Sequence, residues 1–127
     1  MIDAAARELT VQVSAGRGHA RLPMLRRAVA GTSSKAGLSV DRIDDAILIL
    51  EALLADGPTA RAEEIHLILT ARPGSFALMM GPLAGVEAQR LLAHAKLPLV
   101  GRVIERLATS AKTVDDGSYL LIVVDAT

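Results

Sequence analysis

A run of ten residues from Ala46 to Ala55, AILILEALLA, holds one ionisable side chain, Glu51, among aliphatic neighbours. Ile43, Ile47, Leu50 and Leu54 recur at helical spacing, and Ala46, Leu48, Ile49 and Leu53 widen that stripe until little surface is left for water. The segment from 39 to 56 therefore predicts a central helix covered on most sides, and such a helix needs another layer to pack against. Glu51 requires an explanation in that setting. A carboxylate among apolar groups is costly unless it is paired, hydrogen-bonded or shifted toward its protonated form. Two readings stand: a catalytic base placed in a perturbing environment, or a helix-edge carboxylate that reaches water or pairs with an arginine.

The rest of the chain supplies the second layer. Leu9, Val11 and Val13 alternate with polar residues over 8–13, as in a half-buried strand. From 19 to 35, Leu22, Leu25 and Val29 recur at helical spacing beside Arg21, Arg26 and Arg27, and Gly37 is available for a left-handed helix end. Ser39 is placed to cap the central helix, with Asp41 and Asp44 facing the positive end of its dipole. A turn is expected at Asp56-Gly57-Pro58, then alternation through Ile65, Leu67 and Leu69, a tight turn at Pro73-Gly74 and a strand over 76–80. Helical spacing returns after Gly85 and again over 100–108, and a hairpin turned at Asp115-Asp116-Gly117 joins 113–114 to 119–125.

The sequence of 127 residues is of a length for one domain with a real core. With one Phe, one Tyr and no Trp, that core is aliphatic, and aromatic stacking on nucleic-acid bases is nearly excluded. Basic and acidic residues balance at 14 each, so no net field attracts a polyanion or an anionic membrane. The absence of Cys removes disulfides, thiolate metal sites and Cys nucleophiles. No apolar run approaches a membrane span and the N-terminus lacks signal-peptide character, so a cytoplasmic protein is expected.

The expected order is strand, helix, helix, strand, strand, helix, helix, strand, strand. That order, the Glu near the end of a buried second helix, the glycine-containing stretch Met79-Met80-Gly81-Pro82-Leu83-Ala84-Gly85 and Gly101 before a late helix resemble the Bergerat-fold ATPases of the GHKL class. LRRAVAGTSSKAGLSVDRIDDAILILEALLA and LPLVGRVIERLATSAKTVDDGSYLLIVV resemble, more closely, the bacterial anti-sigma factors that act as serine kinases in partner switching. The resemblance implies one α+β domain over 1–127, a two-layer α/β sandwich with a mixed or antiparallel sheet and helices on one face.

The resemblance also implies a chemistry that can be checked position by position. The family's long helix carries a Glu that orients the attacking group and, four residues on, an Asn that binds Mg²⁺. Here Glu51 holds the first place and Ala55, which has no side-chain oxygen, the second; Asp56 lies a further ~100° round the helix. The family selects adenine with an Asp in a glycine turn, and 79–85 keeps Gly81 and Gly85 without an Asp. Of the phosphate-cradling lid, Gly101 remains. Glu51 is thus the candidate catalytic residue, and Gly81, Gly85, Gly101 and Asp56 mark a vestigial nucleotide site.

His19, His66 and His94 have no ligand spacing, so no metal site is expected, and the Asp41, Asp44, Asp45 cluster reads as dipole pairing. Strands 65–69, 76–80 and 119–125 are apolar on both faces, which points to a homodimer formed through the sheet. The leading reading is a regulatory module that binds a protein such as a sigma factor or an anti-sigma-factor antagonist, with the helix of Arg21, Arg26 and Arg27 as contact surface. ATP and Mg²⁺ would be needed only by the alternative, an active serine/threonine kinase acting on that antagonist. A structural or small-ligand protein is the third class.

Overall fold

The computed structural model describes residues 8–55, 57–97 and 101–126. Strand β1 (Leu9–Gly16) leads into helices α1 (Arg21–Lys35) and α2 (Val40–Ala55), followed by a single turn of helix, α3 (Gly57–Ala60). Strands β2 (Glu64–Arg72) and β3 (Ser75–Gly81) precede α4 (Gly85–His94). A two-stranded ribbon of β4 (Lys96–Leu97) and β5 (Gly101–Arg102) comes next, then α5 (Val103–Leu107), β6 (Ser110–Val114) and β7 (Tyr119–Asp125).

The main sheet has the order β1-β2-β3-β7-β6 and is antiparallel at every pairing. Helices α1, α2 and α4 lie against one face, so the molecule is an α+β two-layer sandwich, as the sequence pattern predicts. Its inner face follows from register: Val11, Leu69, Leu78, Ile122 and Ala111 form one row across five strands. Buried Leu25 and Val29 of α1 and Ile49, Leu50 and Leu53 of α2 close the core above it. Among the described residues no helix is long and apolar enough to cross a membrane.

The helix ends are made as the sequence suggests. Ser39 Oγ accepts from the Arg42 N–H at 3.2 Å, and Gly37, at φ +83°, ends α1 in the left-handed conformation. Elsewhere the structure corrects the expected boundaries. Pro58 does not break the chain, because the first turn of a helix tolerates a missing N–H, and it falls inside α3. The late helix starts at Val103, since Gly101, at φ +83°, and Arg102 form a strand with Lys96 and Leu97. Strand β6 begins at Ser110, earlier than its apolar residues indicate, because pairing with the apolar β7 carries polar residues into the sheet.

The opposite face of the sheet repeats the register with other side chains. Its central row reads Gln12, Ile68, Met79, Leu121, Lys112, and the next reads Thr10, Thr70, Ala77, Val123, Ser110. The apolar members of these rows are half-buried. Toward one end Arg72 donates to Glu8 at 2.7 Å and Ser75 to Asp125 at 2.7 Å, which gives the apolar island a polar border.

Candidate functional site

Glu51 projects from the last half of α2 toward α1, where Arg26 Nη2 stands 3.3 Å from its Oε2. The carboxylate is half-buried, its side chain 30% exposed against 43% for Arg26. The arginine that the helix-edge reading asks for is Arg26. A partly exposed pair at this distance contributes about 1 kcal/mol or less, so it holds the carboxylate in place without consuming it.

Beside Glu51 opens a cavity of about 310 Å³ between the start of α1, the end of α2 and β4. Leu22, Leu54 and Leu97 give it an aliphatic wall, continued by Ala55 and Ala60. Its polar residues are Glu51, His19 and Arg21. Ala55 falls one helical turn beyond Glu51 on the same wall and presents only a methyl group to the cavity.

Arg21 is a correction to the contact-surface reading. Only 7% of it is exposed, and its guanidinium faces inward, donating through Nε to the Gly16 carbonyl at 2.8 Å, through Nη1 to the Thr59 carbonyl at 3.2 Å and through Nη2 to the Ala62 carbonyl. It ties the end of β1 and the α3 segment to α1, and Thr59 Oγ1 in turn donates to the Leu53 carbonyl at the end of α2. The sequence carried the signal: Arg21 stands four residues before Leu25 and eight before Val29, on the buried stripe. Arg27 remains on the surface, with Met24, 40% exposed, one turn before it, and Arg26 stays partly exposed on a neighbouring face.

Among the described residues, Gly81, Gly85 and Gly101 do not line the cavity; the glycine that does is Gly18. Gly81 ends β3, where a Cβ would stand 2.7 Å from both the Ser118 carbonyl oxygen and the Tyr119 ring. Its small size serves the packing of the β7 hairpin. Gly85 is the first residue of α4. Gly101 pairs with Leu97, whose side chain lines the cavity, and is in this way the one connected to it. Asp56 lies outside the described residues. Among those described, no three His, Asp or Glu side chains gather as a metal-binding group.

A second arginine clamp also escaped sequence reading. Arg42 at the start of α2 donates to the Asp125 carbonyl at 2.9 Å, the Leu107 carbonyl at 2.9 Å, the Asp45 carboxylate at 2.8 Å and Thr109 Oγ1 at 3.3 Å. It joins α2 to the last strand and to the segment entering β6.

No protein-family model matches the chain, and no curated protein matches it.

Proposed function

We propose that this chain is a regulatory protein-binding module of the partner-switching kind, built on an ATPase-like scaffold whose nucleotide site has been given up. The observation that carries the reading is the wall beside Glu51. Ala55, four residues after Glu51, offers no side-chain oxygen where the resemblance implies a metal-binding Asn, Leu54 adds an apolar wall, and the one carboxylate is paired with Arg26. Magnesium phosphates require several oxygen donors and basic or N–H groups turned toward the anion. Arg21, the buried cation at this wall, spends donors on three backbone carbonyls.

The exposed stripe of α1, with Met24 and Arg27 and with Arg26 at its border, suits an acidic partner surface with an apolar centre. A second copy of the chain is the partner for the apolar island on the open sheet face. The partner class is a sigma factor or an antagonist of an anti-sigma factor. The test is a pair of calorimetric titrations: Mg-ATP against the chain, and a sigma factor or antagonist encoded beside it. Heat from the protein partner, reduced by Arg27→Glu, together with silence from Mg-ATP is the expected result. Micromolar nucleotide binding overturns it in favour of the kinase.

A further inference from the structure

The groove between α4 and the free edge of β6 is separate from the cavity at Glu51. Strand β6 is terminal in the sheet, so alternate N–H and C=O groups between Ser110 and Val114 point away from β7, and no strand among the described residues receives them. Two depressions follow this edge. One, of about 660 Å³, lies over Thr113 and Val114 and is walled by Val86 and Gln89 of α4. The other, of about 280 Å³, lies over Ser110 and Ala111, with Leu92 of α4 and Ile104 of α5 as its apolar wall.

Three observations define what fits there. Natural edge strands are blunted by shortness, by lysine or proline on the edge, by inward charge or by a covering element, and of these β6 has its five-residue length and Lys112. Strand β6 has no proline, and its one charge, Lys112, pairs in register with Leu121 and so points to the opposite sheet face. Val86 is 78% exposed at the wall of the larger depression, an unpaid apolar surface at the mouth. At the same end the hairpin turns through Asp115 and Asp116 at φ +53° and +57°, and Asp116 lines the depression.

We propose that this groove receives an extended segment of a partner protein as an added strand on β6. The unpaired backbone of an edge is matched row by row only by another extended backbone, while side-chain pockets choose the sequence. Inward-facing side chains of an added strand recur at about 6.8 Å and five residues of β6 span about 17 Å. Two or three small aliphatic side chains therefore fall over the two depressions, with a lysine or arginine at the end over Asp116. The inference deepens the protein-binding reading and rests on it in taking the occupant to be a partner's segment.

The test uses the whole chain, ¹⁵N-labelled, and a blocked synthetic peptide of sequence KVTVAVK. Chemical-shift changes and slowed amide exchange confined to Ser110–Val114 and α4 are expected. The same peptide with alternate amides N-methylated should not bind, and Val86→Lys, on a side chain too exposed to matter for folding, should raise Kd about ten-fold. No binding at millimolar peptide, binding indifferent to N-methylation, shifts centred elsewhere, or protection of β6 in the peptide-free protein that grows with its own concentration would each overturn the proposal. The last of these would assign the edge to a second copy. A Mg-ATP titration of the same sample separates the two readings: nucleotide binding beside peptide binding sinks the loss of nucleotide and leaves the groove, and a silent groove beside silent nucleotide does the reverse.

Discussion

The Arg21 guanidinium donates to the backbone carbonyl of Thr59 at 3.2 Å, across 38 residues of chain. With its bonds to Gly16 and Ala62 it supplies, from one planar fork, partners for three carbonyls at the junction of β1, α1 and α3. Replacing Arg21 with Met keeps most of the stem and removes every donor. The Thr59 carbonyl keeps the Ala62 N–H as a partner and the bonds to Gly16 and Ala62 are only part-buried, so the lost hydrogen bonds should cost about 1–3 kcal/mol in all in urea unfolding. Arg21→Lys should recover only part of it, since one ammonium cannot reproduce the fork. A variant as stable as the parent would show that water replaces the clamp.

How far the sequence disclosed this structure depended on whether the local signal and the tertiary outcome agreed. They agreed at α2, where the apolar stripe is nearly continuous, at Gly37 and Pro73-Gly74, and at the Asp115-Asp116-Gly117 turn. They disagreed where pairing partners decide: Gly101 and Arg102 have no strand character of their own and become β5 through Lys96 and Leu97. Glu51 was legible as a residue needing a partner, while the identity of that partner, Arg26, depends on how α1 packs on α2, which periodicity does not specify. Arg21 shows the converse, a charged residue on a buried stripe whose position was readable and whose type was misleading.

Gly81 is expected to resist substitution for a reason unconnected with ligands. A methyl group there meets the Ser118 carbonyl oxygen and the Tyr119 ring at 2.7 Å, too close to be absorbed without a shift of backbone. Gly81→Ala should lower stability by about 1–3 kcal/mol, the usual range for overpacking. Tyr119→Ala in the same chain should restore a part, because it removes the ring and leaves the carbonyl, and a double-mutant cycle in denaturant measures the coupling. Full additivity would show that the ring yields freely.

The open sheet face makes a separate prediction about assembly. Ile68, Met79, Leu121, Ala77 and Val123 form its apolar centre, and polar residues of β1 and β6 flank it. At micromolar concentration the chain should sediment as a dimer. Val123→Glu or Leu121→Glu should give a monomer, since a charge desolvated without a partner costs several kcal/mol. These side chains lie on the face away from the core, so circular dichroism of the variants should be unchanged. A monomeric parent at high concentration would remove the sheet face as an interface.

The final prediction concerns nucleotide and is carried by the single methyl group of Ala55. An Asn oxygen at that position would stand one turn from the Glu51 carboxylate on the wall of the same cavity, and Ala55 is exposed, so the larger side chain has room. Each missing polar contact lowers affinity by about 1–3 kcal/mol; with no side-chain oxygen at Ala55 and no described residue of 79–85 lining this cavity to hold an adenine, a micromolar site of the kind the resemblance implies falls to roughly millimolar or weaker. A ligand near its dissociation constant stabilises by only a few tenths of a kcal/mol, so the parent chain should show no change in Tm with millimolar Mg-ATP. Ala55→Asn should leave Tm without nucleotide nearly unaltered and should still give no shift, because one restored oxygen does not supply the adenine acceptor. Should the parent itself bind Mg-ATP at micromolar concentration, and lose that binding in Glu51→Gln, the cavity beside Glu51 would be an ATP site and the kinase reading would replace the one argued above.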